Sequence, residues 1–414
     1  MTWMTTASLF FAVLFGLLTK SLFPEGVTDF ISGSIFASVQ TMFMNSLKLI
    51  AVPVVFFSLI TSIAQFGDMV ALKRIGVRSM SLYAVTSIIA IFVGLGFFYL
   101  FEPGDPGMMA NVSVEAASEL AAQSETVEIS IVGTIVGIIP NNIISPLLKS
   151  DMLQIIFLAV LLGVALGMIR GYSKPLKEFL EACNSLVLAA ARLIIGFIPL
   201  AVFCSIGKMV IDTGMDFLMA IFSYFALSVI GMWSMVAVYS LMVLLLGRLN
   251  PLTFLRKFAP AILTTFSLSS ASAAMPFNME VCRNRLGISS KVCNFTIPLG
   301  TTVNMDGTCV TLGLGGLFMA RIYGIELSPV EIGAMFFSIF MLSVGAPGIP
   351  GAFLVCLSVL VVQLGIPVES VSLVIGINPL ISMFRHSANV VGDAAVSCIV
   401  AKKEGMLDEA VFSE

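Results

Sequence analysis

Charged residues are scarce in this chain of 414 residues: 11% are Asp, Glu, Lys or Arg, whereas 58% are hydrophobic. Apolar runs such as 9–18, 88–100, 155–168 and 217–246 leave too few polar positions for the solvent face of an amphipathic helix. Together with a mean hydropathy of +1.06, they exclude an ordinary soluble domain and predict a polytopic α-helical membrane protein. Strand-like alternation of apolar and polar residues does not recur, which argues against a transmembrane β-barrel.

Closely spaced cysteine pairs and the usual features of a signal peptide are also lacking. The seven cysteines include no Cys-x-x-Cys pair and lie mostly in apolar segments, so we expect neither a disulfide framework nor a zinc site. The first apolar segment begins almost at Met4, without a basic region or a small-residue cleavage site, and we expect it to be a retained helix. The formal net charge of −3 gives no indication of a partner, and we expect no nucleic acid.

Basic residues are absent from the loop after the third apolar segment, which holds acidic residues from Glu102 to Glu128. Lys and Arg instead gather after the second, fourth, sixth and last apolar segments. The positive-inside rule therefore predicts that both termini are cytoplasmic and that the acidic loop lies outside. Spans are predicted near 5–23, 36–66, 79–101, 129–170 (interrupted), 184–210 and 216–247.

The last third of the chain does not divide into plain spans. Segments 251–284 and 328–365 each contain two short apolar halves, separated by small or Gly/Pro-rich residues at 267–276 and 343–352. Because each half is too short to cross a bilayer, both segments are predicted to be re-entrant hairpins whose tips are surrounded by protein or water. Taken singly, a serine-rich stretch also suits close helix packing, and a Gly/Pro cluster also suits a kink.

Each predicted hairpin precedes a segment with Asn and Asp side chains at membrane depth. The first is Asn304-Met305-Asp306-Gly307-Thr308, and the second contains Asn389 and Asp393. Buried ionised groups are costly and normally face a functional cavity. Interrupted segments in corresponding positions are typical of inverted-repeat transporters with a site near the membrane midplane. The sequence therefore predicts a transporter and not an enzyme.

The oxygen atoms of these side chains suit an alkali cation. Sodium takes several oxygen ligands, which carboxylates, amides, hydroxyls and backbone carbonyls supply. A bound Na⁺ would allow Asp306 and Asp393 to stay ionised away from water. In the alternative, the two aspartates are protonated or paired with Arg385, the only basic residue near either in sequence.

Arg385 and His386 have further interpretations. The planar guanidinium of Arg385 also matches a substrate carboxylate, which it binds through two parallel hydrogen bonds. His386 is the only histidine of the chain. It is interpreted as a structural group, as a hydrogen-bond partner of the substrate, or as a group that titrates during transport.

In combination, these motifs resemble the dicarboxylate/amino acid:cation symporter family, which includes the glutamate transporters. The resemblance rests on 304–308, on the serine-rich hairpin and on Arg385 followed by Asn389-Val390-Val391-Gly392-Asp393, and it extends over nearly the whole chain. It implies an all-α polytopic membrane protein with eight transmembrane helices, two re-entrant helical hairpins and an inverted-repeat elevator fold. It also implies a homotrimer in the lipid bilayer of the inner (plasma) membrane.

The resemblance further implies a division of the chain. Residues 1–78 contain the first two spans and are expected to be mainly scaffold, and 79–127 contain the third span and the acidic outer loop. Residues 128–247 contain the broken fourth span with the fifth and sixth. Residues 248–414 form the transport core, with the hairpins and with the seventh and eighth spans, both expected to be broken.

Three sodium sites and one substrate site are implied position by position. The first sodium site matches Gly300, Asn304, Asn389 and Asp393. The second matches Thr302, Met305, Ser343, Val344 and Ala346, largely through backbone carbonyls. The third matches Tyr83, Thr86 and Ser87 with Asn304 and Asp306. The substrate positions are Ser270, Ser272, Thr308, Gly348, Arg385 and Asn389, to which Ser382 and His386 are added below.

Two substrate positions depart from the amino acid carriers of that family. Those carriers have an aspartate three residues before the arginine, where it holds the substrate ammonium, and a threonine after the arginine; here the residues are Ser382 and His386. Without the aspartate, an ammonium group would be a buried charge without a partner. The family's dicarboxylate carriers similarly have serine at this position.

We therefore predict a sodium-coupled symporter that imports an anionic carboxylate, a C4-dicarboxylate in particular. Sodium is favoured over the proton as the coupling ion because this chain, unlike some of the family's dicarboxylate carriers, has Asp393 together with Tyr83, Thr86 and Ser87. The alternative within the family is a sodium- or proton-coupled symporter of acidic or neutral amino acids. Outside it, an intramembrane aspartyl protease would need two aspartates that share a proton but neither Asn304 nor Asn389, and a passive anion channel would not accumulate its substrate.

Overall fold

A computed structural model of the chain describes residues 2–64, 73–106, 139–149, 152–169, 173–213, 216–345 and 352–413. Within these ranges the structure is helical, and the β-type pairing there is limited to an isolated antiparallel bridge between Ile288 and Leu407. The predicted all-helical class is confirmed. Two described helices, Arg74–Phe101 and Met219–Leu245, are long and apolar enough to cross a membrane, and shorter apolar helices accompany them. The number of spans stays a prediction.

The first part of the chain is made of helices of 5 to 30 residues. They are α1 (Thr2–Leu22), α2 (Glu25–Asp29), a π-helical segment (Phe30–Phe36), α3 (Ala37–Ala64), α4 (Lys73–Phe101), α5 (Ile144–Lys149), α6 (Met152–Met168), α7 (Ser173–Ile195), α8 (Ile198–Thr213) and α9 (Asp216–Leu245). Helix α1 packs along α8, and α3 packs on α6 and α7. Most of the predicted acidic loop, 107–138, lies outside the described residues.

The segment 184–210, predicted as one uninterrupted span, contains a break in the structure. The helix is divided at Gly196 and Phe197, where α7 ends and α8 begins. Pro199, the second residue of α8, cannot donate a hydrogen bond to the carbonyl of Ile195, and its ring clashes with that carbonyl in a continuous helix. Glycine at 196 has a low helix propensity as well. The chain therefore starts a new helix after this point.

The second part of the chain contains both predicted hairpin segments as helix pairs. Its elements are α10 (Pro251–Leu268), α11 (Ala271–Asn284), α12 (Ser290–Val303), α13 (Asp306–Ile322), α14 (Pro329–Gly345), α15 (Ala352–Gln363), a 3₁₀ turn (Val368–Val371), α16 (Ser372–Ile375), α17 (Asn378–Lys403) and α18 (Glu409–Ser413). Helices α10 and α11 pack on each other, as do α14 and α15.

The turn of the first helix pair is made by two serines. Ser269 adopts a left-handed conformation with φ of 49°, and the hydroxyl of Ser270 caps α11 by accepting a hydrogen bond from the backbone N–H of Ala273 at 3.2 Å. Serine is a favoured capping residue because its side chain replaces the hydrogen-bond partner that the first turn lacks. The turn of the second pair, 346–351, lies outside the described residues.

The backbone leaves helical geometry between α12 and α13. Asn304 has φ/ψ of −91°/67° and Met305 has −96°/50°. Because the last carbonyls of one helix and the first N–H groups of the next lack intrahelical partners, this break brings backbone polar groups into the protein interior. The seventh predicted span is thus broken at 304–305.

The eighth predicted span differs from the expectation. Helix α17 is continuous from Asn378 to Lys403, and the interruption comes before it, at Gly376 and Ile377. Pro379 occupies the first turn of α17, where the absence of an N–H group is tolerated. All the predicted site residues of this span therefore lie on one uninterrupted helix.

Helix α13 lies at the centre of the described helices. From Asp306 to Ile322 every residue except Arg321 is buried, and α13 packs on α4, α9, α15 and α17. Two glycines allow the close approach. A Cβ atom at Gly94 in α4 would lie 2.5 Å from the carbonyl oxygen of Val310, and one at Gly231 in α9 would lie 2.8 Å from its Cγ1.

Candidate functional site

Asp306 is fully buried at the start of α13 and accepts hydrogen bonds from two other helices. The hydroxyl of Ser87 in α4 donates to Oδ1 at 2.7 Å, and the hydroxyl of Tyr239 in α9 donates to Oδ2 at 2.7 Å. The N-terminal end of a helix also favours a negative charge. Both side-chain donors are neutral, so the described surroundings orient the carboxylate without an opposite charge.

Asp393 in α17 is held in the same manner. The amide Nδ2 of Asn304 donates to Oδ1 at 3.1 Å, and the hydroxyl of Thr301 donates to Oδ2 at 3.4 Å. Gly300 makes room for the carboxylate, because a Cβ atom at this position would lie 2.4 Å from Oδ1. The last turn of α12 and the break that follows it are therefore pressed against α17.

Asn304 connects this carboxylate to α4. Its Oδ1 accepts a hydrogen bond from the hydroxyl of Thr86 at 3.0 Å, while its Nδ2 donates to Asp393. The hydroxyl of Tyr83 donates to the carbonyl of Thr296 at 3.0 Å. The hydroxyl oxygen of Tyr83 also lies next to Gly300, because a Cβ atom added at Gly300 would be 2.7 Å from this oxygen. The structure thus brings together most of the first and third predicted sodium sets.

Asn389 contacts the start of α13. Its Oδ1 accepts a hydrogen bond from the backbone N–H of Gly307 at 2.8 Å, and its Nδ2 lies 3.1 Å from the Sδ atom of Met305. The side chain therefore supplies a capping acceptor that Met305, the residue before α13, does not provide. Asn389 belongs to the first predicted sodium set, and its described hydrogen bonds go to Gly307 in α13 and to Met305 in the break before it.

The second predicted sodium set is not joined by side-chain hydrogen bonds within the described part of the chain. The hydroxyl of Thr302 donates to the carbonyl of Leu299 at 2.9 Å, and that of Ser343 to the carbonyl of Phe340 at 2.8 Å. Helices α12 and α14, which carry these residues, are in contact. Val344 is partly buried next to Ser343, and Ala346 lies outside the described residues.

Arg385 is buried in α17 without an acidic partner among the described residues. Its guanidinium lies 4.4 Å from the ring centroid of Phe353, and Nη2 donates to Oδ1 of Asn378 at 3.5 Å. Nη1 has no hydrogen-bond partner in the described part of the chain. The alternative in which Arg385 neutralises Asp393 is therefore wrong for this structure.

The remaining predicted substrate positions are distributed around the hairpin and α17. Ser382 and His386 are buried on α17, and the hydroxyl oxygen of the first and both ring nitrogens of the second have no partner among the described atoms. Thr308 is buried in the first turn of α13, and its N–H donates to the carbonyl of Met305 at 2.8 Å. Ser270 caps α11, Ser272 lines a cavity of about 440 Å³ between α11 and α12, and Gly348 lies outside the described residues.

Four residues that contact the site were not predicted: Tyr239, Thr301, Asn378 and Phe353. Tyr239 carries a hydroxyl group within the apolar run 217–246. Because a buried tyrosine hydroxyl usually has a polar partner, this position is one that sequence reasoning should single out. The other three give no local indication, because their roles depend on which helix packs against them.

Comparisons with known proteins identify the family of the chain. The profile of the Sodium:dicarboxylate symporter family matches residues 1–403. The chain is 28% identical over 372 residues to the Proton/sodium-glutamate symport protein of Geobacillus stearothermophilus, covering 90% of this chain and 88% of that one. It is 28% identical over 372 residues to the C4-dicarboxylate transport protein of Bordetella avium, covering 89% and 82% of the two chains. It is 26% identical over 414 residues to the Proton/glutamate-aspartate symporter of Escherichia coli, covering 96% and 92%.

These matches confirm the predicted family and the prediction that the chain is not an enzyme, so the protease alternative is discarded. The profile extends over nearly the whole chain, including both carboxylates and Arg385. The chain belongs to the sodium:dicarboxylate symporter family.

Proposed function

We propose that the chain is a sodium-coupled secondary active symporter that imports an anionic carboxylate, specifically a C4-dicarboxylate. The observation that carries this proposal is the state of Arg385, a buried guanidinium with no acidic partner among the described residues and with an unpartnered Nη1. A buried charge is costly unless it is paired. A substrate carboxylate supplies the partner and matches the guanidinium through two parallel hydrogen bonds.

The choice of a di-acid over an amino acid depends on Ser382. This uncharged residue lies one helical turn before Arg385, where the family's amino acid carriers have the aspartate that holds the ammonium group. The relatives are named for glutamate as well as for C4-dicarboxylate transport, so their names support an acidic substrate without choosing between the two. The alternative is a sodium- or proton-coupled symporter of acidic or neutral amino acids.

Coupling to sodium is supported by the surroundings of the two buried aspartates. Asp306 and Asp393 each accept hydrogen bonds from neutral donors, so a bound cation would compensate the charges that the described residues leave uncompensated. The neighbouring hydroxyl, amide and carbonyl oxygens are the hard ligands that Na⁺ prefers. Coupling then follows from linkage, because substrate and Na⁺ bind one conformation more tightly together than separately.

Movement, assembly and location complete the proposal. The tip of the second hairpin, 343–352, closes over the substrate, and the core 248–414 moves as an elevator against a scaffold formed mainly by 1–78. The protein is a homotrimer in the inner membrane with both termini in the cytoplasm. Membership of the family and the distribution of Lys and Arg support these statements.

Uptake into proteoliposomes tests the proposal. Labelled succinate, fumarate and malate are offered with an inward Na⁺ gradient, with an equal K⁺ gradient, and with Na⁺ plus a protonophore. We expect the di-acid to accumulate above equilibrium with the Na⁺ gradient, both with and without the protonophore, and not to accumulate with the K⁺ gradient. Equal uptake with Na⁺ and K⁺ would overturn sodium coupling, and equilibration without accumulation would indicate a passive channel. If unlabelled aspartate competes better than every di-acid, the proposed substrate class is wrong.

A further inference from the structure

Three neighbouring positions on α17 have polar atoms that no described residue satisfies: the hydroxyl oxygen of Ser382, Nη1 of Arg385 and both ring nitrogens of His386. The three residues are 2%, 1% and 3% exposed. Their spacing of i, i+3 and i+4 places them on one face of the helix. Native proteins satisfy the large majority of buried polar atoms. A cluster of unsatisfied ones on a single face therefore indicates a position that a polar ligand completes.

The chemistry of these atoms specifies what the ligand must offer. Nη1 of Arg385 only donates hydrogen bonds, whereas the hydroxyl of Ser382 both donates and accepts. An imidazolium at His386 would put a second cation beside Arg385 in a cluster with no described acidic partner, which is costly. A neutral imidazole has one N–H donor and one bare nitrogen that accepts. The cluster therefore needs ligand acceptors for Arg385 and at least one ligand donor for His386.

Candidate substrates satisfy this requirement to different degrees. Succinate and fumarate, when fully ionised, carry acceptor oxygens but no donor, and they leave the bare nitrogen of His386 unpaired. An amino acid has N–H donors, but they carry a positive charge into a cluster that already contains Arg385. A C4-dicarboxylate with a hydroxyl group on its second carbon, such as malate, offers carboxylate acceptors and a neutral O–H donor.

We infer that Ser382 and His386 recognise a hydroxyl group on the substrate, so that the transporter prefers 2-hydroxy C4-dicarboxylates to the unsubstituted di-acids. This inference rests on the proposed function and narrows its substrate class. Arg385 binds a carboxylate, and the hydroxyl group donates to the imidazole while it accepts from the serine. A site built to bind a hydroxyl group discriminates strongly against an analogue that lacks it, because the buried polar atoms of the site then stay unpaired.

Uptake kinetics in proteoliposomes provide the test. The KM values for malate and succinate are compared at about pH 8, where both carboxyl groups are ionised and a protonated carboxyl cannot replace the hydroxyl as donor. We expect a KM for malate about tenfold lower than that for succinate, the effect of two additional hydrogen bonds. The two enantiomers of malate are compared as well, and we expect them to differ because the hydroxyl group must point toward α17.

Variants assign the preference to these residues. His386→Phe keeps an aromatic ring but removes both nitrogens, and Ser382→Ala removes the hydroxyl; we expect either change to lower the ratio of the two KM values toward one. His386→Gln keeps a donor and an acceptor and should retain part of the preference. Ser387→Ala is the matched control, because the hydroxyl of Ser387 already donates to the carbonyl of Met383 at 2.8 Å, and the ratio should stay unchanged.

The outcomes separate this inference from the proposed function. Sodium-driven uptake of succinate and malate with equal KM values would overturn the hydroxyl preference and leave the proposed function intact. The absence of sodium-driven uptake of any di-acid would overturn the proposed function itself. A preference for malate that survives both His386→Phe and Ser382→Ala would show that other residues recognise the hydroxyl group. If a variant fails to fold, thermal-shift titration of the unaltered protein with malate and with succinate still compares the affinities for the two di-acids.

Discussion

The two halves of α17 differ in how their polar side chains are satisfied. Toward the C-terminus, Asn389 accepts from the N–H of Gly307 at 2.8 Å, Asp393 accepts from Asn304 at 3.1 Å, and Ser397 is 2.7 Å from the hydroxyl of Thr296. Toward the N-terminus, the cluster of Ser382, Arg385 and His386 has polar atoms without partners in the described part of the chain. One helix therefore carries a completed network next to an incomplete one.

This difference indicates how binding is divided along the helix. A fully satisfied buried network is rigid and keeps its geometry without a ligand, so we expect the surroundings of Asp393, where we propose that a cation binds, to be ordered by the protein alone. The other half becomes complete only when a ligand supplies the remaining acceptors and donors. We therefore expect substitutions in the two halves to separate the response to substrate from the response to Na⁺.

The largest separation is expected for Arg385→Gln. Removal of the guanidinium deprives a substrate carboxylate of its buried charge partner, a loss that typically costs about 2–5 kcal/mol. We expect di-acid affinity to fall by about a hundredfold or more in thermal-shift titrations, whereas Na⁺ still stabilises the protein. Arg283→Gln is the control, since Arg283 lies on α11 and its Nε donates to the carbonyl of Met279 at 3.3 Å. Unchanged di-acid affinity in Arg385→Gln would contradict the proposed substrate site.

A smaller and opposite separation is expected for Asp393→Asn. This change preserves the shape of the side chain but removes the charge that a cation compensates. The Na⁺ concentration that gives half-maximal di-acid uptake should rise by roughly tenfold, since loss of a charged partner costs about 1.5–3 kcal/mol. The order of preference among di-acids should stay the same. Asp408→Asn provides the control, because Asp408 caps α18 through Oδ1, an acceptor that asparagine retains; a sodium response equal to that of the control would show that Asp393 holds no cation.

The smallest effect is expected for Thr301→Val. The hydroxyl of Thr301 donates to the carbonyl of Ile297 at 2.9 Å and, over a longer distance of 3.4 Å, to Oδ2 of Asp393, and valine has nearly the same shape. Loss of one such bond costs about 0.5–1.5 kcal/mol, so the half-maximal Na⁺ concentration should rise by about threefold. In Thr264→Val, which removes a hydroxyl bonded only to the carbonyl of Pro260 at 2.9 Å, it should stay constant. A di-acid preference that changed together with the sodium response would mean that the two halves of α17 are not separable.

The sequence predicted the breaks in the helices more reliably than the contacts between them. Glycine, proline and serine act locally, so the turn at Ser269 was identified from neighbouring residues, whereas the break next to Asn304 was expected from the resemblance to the symporter family. The division of the fifth predicted span at Gly196 was missed because the residues next to it, 193–203, include no polar side chain, although Pro199 indicated it.

The partners of the site residues were harder to predict, because they come from helices distant in the sequence. Tyr239 donates to Asp306 and Phe353 packs against Arg385 only because α9 and α15 surround α13 and α17. A single polar or aromatic residue in an apolar span has no pattern that identifies its partner. The resemblance to the symporter family supplied the candidate ligands, and the packing showed which of them meet.

The absence of side chains at Gly94 and Gly231 affects the two residues that donate hydrogen bonds to Asp306. Gly94 follows Ser87 on α4, and Gly231 precedes Tyr239 on α9, by about two helical turns in each case. Both glycines touch Val310, one turn beyond Asp306. The helix spacing that lets the hydroxyl groups of Ser87 and Tyr239 reach the carboxylate of Asp306 therefore depends on two glycines that lie one to two helical turns away. Adding a single methyl group at either position would push the helices apart and displace the hydroxyl groups from the proposed ion site at Asp306, which neither glycine contacts.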